Sequence, residues 1–275
     1  MQLGELLTER SLRPVLLKVQ DQVRREPANP KHRIFLFQLL AVLGQWQRAL
    51  TQLGVLGEMD AATLPMVQTY REALRCEALR AEVFAARRSP LIFGDPEPWV
   101  ALLLEALRLS AEGHHAQAQA VRAQAFEAAP AVSGTVDGQS FAWIADADAR
   151  LGPVLEAIIN GRYFWVPLQR IRALKLEAPV DLRDLVWIPA AFTWSNGGEA
   201  VGLIPSRYPD SPSSEDPLIQ LGHKTEWIEQ TEGLYIGLGQ RLLASDEGEY
   251  PLLDLRLLRL DGAEPAAEVT GAAQP

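Results

Sequence analysis

The residues of this sequence best suited to chemistry are acids and arginines set close together after residue 140. Asp146 and Asp148 are separated by a single alanine, and Arg150 follows. Two carboxylates at that spacing can serve as metal ligands or divide acid and base roles. No histidine or third carboxylate follows at a useful distance. The pair is therefore expected to cap a helix start ahead of LGPVLEAI (151–158) and to bind Arg150. Asp181, Arg183 and Asp184 form an Asp-x-Arg-Asp cluster before an apolar run. A buried arginine fork there can hold two carboxylates and lock the loop, the alternative being an anion site at Arg183. An enzymatic reading would bring Asp146, Asp148, Arg162 and Asp184 together on an open pocket.

Other reactive side chains stand without companions. His114-His115 falls at an expected helix start with no cysteine or carboxylate spaced to complete a metal site, and His32 and His223 are alone in their neighbourhoods. The single Cys76 lies in the apolar-periodic stretch ALRCEALRAEVF and reads as core. Ser195 lies in a turn, where serine is common. The sequence has no Gly-x-Ser-x-Gly elbow, no phosphate loop and no dinucleotide-binding glycine pattern. No enzyme, cofactor or metal centre is expected.

The elements that must position these residues divide the chain in two. The first 130 residues are rich in Leu, Ala, Gln and Arg, strong helix formers. Helices are expected near 2–9, 12–25, 31–43, 46–55, 63–87, 97–110 and 114–128, with Ser11 capping the second and 89–98 (SPLIFGDPEP) as a loop. Gly44 and Ala49 recur as Gly113 and Ala118, an offset close to two 34-residue periods, which suggests tetratricopeptide-like helical pairs. After Pro130 the texture changes, and 132–140 (VSGTVDGQS) reads as a boundary. Short β-rich runs follow. VLEAII and RYFWVP flank Asn160-Gly161, the dipeptide suited to a type I′ hairpin, and LVWIPAAFTW and AVGLIP flank Ser195–Gly198. KTEWIEQ, LYIGLG and LLDLRLLRL are expected to add strands or a closing helix.

The fold class is thus α+β. A helical-repeat domain is expected over 1–131, and a mainly antiparallel sheet or partly closed barrel over 132–260. A loosely packed or flexible tail is expected over 261–275. Trp143, Trp165, Trp187, Trp194 and Trp227 fall in or beside expected strands and read as packing devices.

Net charge is −9, carried almost entirely by the second half, where 21 acids face 11 bases. That half should repel nucleic acid and anionic lipid, and could steer a basic partner. No apolar run approaches the ~18 residues of a membrane helix, and MQLGELLTER lacks the basic start of a signal peptide. One cysteine is compatible with a reducing cytoplasm.

The helix HRIFLFQLLAVL (32–43) is apolar on nearly every face, whereas a surface helix carries only a stripe. Either it is wedged between neighbours, or it leaves an apolar face for a partner. In the second case Phe35, Leu39, Val42 and Trp46 form a ridge that could wall a groove for an amphipathic helix.

An ordered series of segments carries a family resemblance: VRREP (23–27), LLAVLGQWQRALTQL (39–53), EALRAEVF (77–84), DGQSFAWIADADARLGPVLEAIINGRYFWVP (137–167), DLRDLVWIPA (181–190), PSRYPDS (205–211), KTEW (224–227), GLGQRLL (237–243) and LLDLR (252–256). The chain resembles the ImpE (SciE, TagJ) family, accessory proteins encoded with bacterial type VI secretion systems, over nearly its whole length. The resemblance implies a cytoplasmic, non-catalytic adaptor. Such a protein would bind an N-terminal helix of the small sheath subunit and associate with the AAA+ unfoldase that recycles contracted sheath.

Overall fold

Capping chemistry sets the helix starts. Ser11 accepts from the Arg13 amide at 3.3 Å to open α1 (Leu12–Arg25). Asn29 accepts from the Lys31 amide at 3.1 Å to open α2 (Pro30–Val42), with Pro30 in the first turn, where its missing N–H costs nothing. The helices α3 (Trp46–Met59), α4 (Leu64–Phe84), α5 (Pro98–Ala111) and α6 (His115–Ala128) complete the N-terminal part. This computed structural model describes residues 11–231 and 233–261. The helix expected at 2–9 and the tail beyond Asp261 lie outside them.

The offset pair Gly44/Ala49 and Gly113/Ala118 occupies equivalent places in two helical hairpins. The Gln45 amide donates to Leu40 O at 2.9 Å, and the His114 amide to Leu109 O at 2.8 Å. Ala49 and Ala118 are fully buried on the second helix of each pair, where a larger side chain would hold the helices apart.

The C-terminal part is a mainly antiparallel, open sheet that does not close into a barrel. Its nine strands run in the order β1 (Leu91–Ile92), β6 (Arg162–Pro167), β5 (Val154–Ile159), β9 (Glu199–Pro205), β8 (Trp187–Trp194), β7 (Ile171–Leu176), β14 (Leu257–Leu260), β2 (Gly134–Val136) and β3 (Gln139–Phe141). β4 (Ile144–Asp146), β12 (Leu242–Ser245) and β13 (Glu249–Pro251) form a second sheet. β10 (Thr225–Thr231) and β11 (Leu234–Gly239) form a separate ribbon. A four-residue helix, α7 (Pro217–Gln220), precedes the ribbon. Asn160 (φ 50°) and Gly161 (φ 69°) make the tight turn between β5 and β6.

The 132–140 segment, where helices give way to strands, carries the β2–β3 hairpin at the edge of the sheet opposite β1, beside β14. Three expectations need correction. The stretch 89–98 is not wholly loop, since Leu91 and Ile92 pair in parallel with Phe164 and Trp165. Two residues carry no periodicity, so only the open edge of β6 could reveal that strand. No helix follows Asp146 and Asp148, because a turn leads straight into β5. Finally, Trp165, Trp187 and Trp194 are core, but Trp143 and Trp227 are 42% and 37% exposed.

Helices and sheet share one hydrophobic core, which runs from Leu12 in α1 through Phe37, Leu53 and Val83 to Trp165, Trp187 and Leu258 in the sheet. α2 lies in its middle, and every residue from Leu36 to Val42 is buried.

Candidate functional site: a buried ionic network beneath a cleft

At the junction of helices and sheet, charged residues from distant parts of the chain meet out of solvent. Glu156 is the only polar residue in the apolar run of β5 and is fully buried. Arg80 of α4 meets its carboxylate with two nitrogens, at 2.6 and 3.0 Å, and Arg241 meets it from the start of β12. Tyr163 donates its hydroxyl to the same carboxylate and accepts from Trp165 Nε1 at 2.9 Å. Burial alone would push Glu156 up, but the two guanidiniums more than offset it and hold the group at about 2. Arg80 also reaches Glu77 at 3.5 Å and the Arg207 carbonyl at 2.8 Å, while Trp187 Nε1 donates to Glu77 at 2.9 Å.

Asp146 and Asp148 extend the network. Asp148 is fully buried; it binds Arg150 at 2.5 Å and accepts from the Gly237 amide at 2.8 Å. Gly237 permits this approach, because a Cβ there would fall 2.2 Å from the Tyr208 ring. Asp146 accepts from the Asp148 amide at 2.9 Å and from the Tyr208 hydroxyl at 3.0 Å. Its charged neighbour is Arg241 rather than Arg150, with Nε 3.5 Å from Oδ2. Neither of those two atoms has a hydrogen-bond partner among the described residues. The weak pairing cannot offset burial, so Asp146 is pushed up to about 7 by desolvation, with Asp148 adding to the rise.

Arg207 has a different task. It donates to the carbonyls of Val42 at 2.8 Å, Ala41 at 3.4 Å and Gln220, closing the C-terminal ends of α2 and α7. A cation suits the negative end of a helix. Desolvation lowers it to about 10, with Glu77 working in the opposite direction.

The remaining sequence-predicted residues are dispersed. Arg183 reaches Asp181 at 2.6 Å and Asp184 at 3.9 Å, and lies over the Tyr70 ring at 5.0 Å. The Asp181 and Asp184 side chains form a capping box around Leu182–Leu185. Arg162 lies at the exposed start of β6, 5.7 Å from the Phe164 ring centroid. Asp146, Asp148, Arg162 and Asp184 therefore do not converge on one pocket. His32 bonds Glu26 at 3.1 Å, and burial raises the Cys76 thiol to about 12. No cluster of three potential metal ligands occurs among the described residues.

The ridge Phe35–Leu39–Val42–Trp46 is not an open wall. Leu39 and Val42 are fully buried, and Phe35 packs partly buried against the core. Of the four, Trp46 lines a cavity. Its ring lies 6.0 Å from Trp187, which continues through Tyr70 to Phe37.

That cavity is a cleft of about 500 Å³ above the network. Its apolar lining includes Trp46, Phe84, Tyr208, Pro209, Pro212 and Ile236, and its charged lining Glu77, Arg80, Arg87, Arg150, Arg207 and Asp210. Among the described residues its buried charges are engaged, Glu77 and Arg80 with each other and Arg207 with backbone carbonyls. Its surface is mixed, with aromatic side chains set among arginines.

Glu77, Arg80, Glu156, Tyr163, Arg207, Tyr208 and Arg241 were not predicted as site residues. The available signal was the lone glutamate inside VLEAII, because a charge in a buried strand demands a buried partner.

Comparison with known proteins identifies relatives. The ImpE protein family profile matches residues 138–259. Over 254 residues the chain is 57% identical to a protein of Pseudomonas aeruginosa named Type VI secretion system accessory component TagJ, covering 92% of this chain and 89% of that one. The fold is similar to the crystal structure of protein VPA1032 from Vibrio parahaemolyticus, with a TM-score of 0.85, 25% identity, and coverage of 94% and 97% of the two chains.

Proposed function

Because this chain belongs to the ImpE (TagJ) family of type VI secretion accessory components, we propose that it is a cytoplasmic, non-catalytic adaptor. In this reading it binds an N-terminal helix of the small sheath subunit and links the sheath to the AAA+ unfoldase that recycles it. The observation that carries the reading is the 57% identity extending over 92% of the chain, which spans the helices and the sheet alike. Among the described residues no helix is long and apolar enough to cross a membrane.

The geometry supports docking over catalysis. The ionic network fixes the floor of the junction cleft, and Trp46, Phe84 and Tyr208 offer aromatic surface there. Aromatic side chains in concave pockets are the usual anchors of protein interfaces. The N-terminal helical pairs act in this reading as a tetratricopeptide-like unit that supplies one wall.

Titrating a synthetic peptide of the sheath N-terminal helix into the whole protein by calorimetry tests this. Saturable binding supports it. Absence of binding far above 100 μM, by calorimetry and by fluorescence anisotropy, removes it. Capture of the sheath subunit and the unfoldase together from cells expressing the secretion cluster tests the linking role.

A further inference from the structure

We propose that the junction cleft selects an acidic amphipathic helix, whose carboxylate binds Arg87 and Arg150 while an apolar neighbour enters beside Trp46 and Phe84. This rests on the helix-docking reading above and specifies the chemistry that the partner must present.

Two guanidiniums lining the cleft have donors to spare. Arg150 uses Nε and Nη2 on Asp148, and Arg87 uses Nε and Nη2 on Glu82. For each, Nη1 has no hydrogen-bond partner among the described residues, and both side chains line the cleft. The other two lining arginines are committed: Arg80 to Glu77, Glu156 and a carbonyl, and Arg207 to helix-terminal carbonyls. Of the two lining acids, Glu77 is held by Arg80 and Trp187, which leaves Asp210 as the opposing charge. The free donors therefore favour an incoming anion.

Apolar side chains share this lining with the arginines, so a bare anion would leave Trp46, Phe84 and Ile236 uncovered. Arg150 lies over the Phe84 ring at 5.0 Å, so the cationic donors adjoin aromatic surface. A side chain bound there would have to present a carboxylate next to apolar atoms, as one face of an amphipathic helix does. The backbone supports the placement of Arg87. Ala86 ends α4 in the left-handed region at φ 56°, and the Arg87 amide returns to Glu82 O at 2.9 Å.

The test uses the full chain and the synthetic sheath helix, in its parent form and with each acid changed to its amide. The Arg87 side chain is 62% exposed, so Arg87→Glu should fold, which a thermal melt verifies. We expect Arg87→Glu to bind the parent peptide at least about tenfold more weakly, or ~1.4 kcal/mol. One amidated peptide should show a similar loss on the wild type, and lysine at that position should restore binding to Arg87→Glu. Equal affinity of all acid and amide peptides, or of wild type and Arg87→Glu, overturns the inference while leaving helix docking standing. Failure of the parent peptide to bind the wild type overturns both. Binding of free acetate or phosphate that competes with the peptide at millimolar levels would support the anion subsite. Equal competition by sodium chloride would overturn it.

Discussion

Asp146 shows how a residue can be tied into a buried network and yet be held there at a cost. It is fully enclosed, and Arg241 stands too far away for a proper hydrogen bond. Desolvation lifts it from 3.8 to about 7. A raised carboxylate means that the native state binds a proton that the unfolded chain has released. Its contribution to stability is therefore greatest below about pH 4 and is lost as pH rises toward 7. Glu156 has the opposite sign: held at about 2, it loses its contribution only as pH falls below about 4.5. His223, lowered by burial, favours the native state as pH rises through 6.5, so wild type alone would blur the effect. The difference between wild type and Asp146→Asn isolates it. Urea midpoints from pH 5 to 8 should fall for wild type relative to Asp146→Asn, and parallel curves would refute the assignment. Glu156→Gln should be more damaging, because it leaves buried Arg80 and Arg241 with only their long contacts to Glu77 and Asp146, each at 3.5 Å. A loss of about 3–5 kcal/mol is expected in equilibrium unfolding. At this scale the pairing of Asp148 with Arg150 was legible because the two are neighbours in sequence. The partners of Asp146 and Glu156 were not, because Arg241 and Arg80 lie far along the chain.

Among the elements, α2 tests what an over-apolar helix means. Its composition left two outcomes, a wedge or an open face, and contact with α1, α3 and Leu182–Leu185 makes it a wedge. Leu39→Ala should therefore cost about 2–5 kcal/mol in thermal or urea unfolding, as expected for a truncated core leucine. Trp46→Ala should cost less, since Trp46 is only partly buried, and should instead weaken binding of the sheath peptide. A large stability loss with unchanged peptide affinity would assign Trp46 to packing alone. The helices and the β5–β6 and β8–β9 hairpins were legible because caps, periodicity and turn dipeptides are local signals. β1 was not, because its two residues become a strand only by lying against β6. Trp227, in the two-stranded β10–β11 ribbon, packs against Tyr208 at 5.7 Å and is still 37% exposed.

Across the whole molecule, the shared core and the network couple the helical and sheet regions. Arg80 joins α4 to β5, Arg207 joins the segment after β9 to α2, and Trp187 joins β8 to α4. We propose that the two regions, divided near residue 131, unfold together. Far-ultraviolet and near-ultraviolet signals should then give coincident denaturation curves, and two separated transitions would refute it. The same coupling suits an adaptor, because a load on the cleft would pass to both halves through buried ion pairs.

What the sequence determined by itself was the order and type of most elements, the open-ended choice of sheet over helix after residue 131, and the family. Each of these is written in local pattern or in an ordered series of segments. The tertiary structure alone decided which acids meet which arginines, which face of α2 is covered, and where a cleft remains. The reason is physical. Periodicity and capping act within a few residues, whereas a buried charge is satisfied only by whichever partner the folded chain brings to it, here 165 residues away between Arg207 and the Val42 carbonyl.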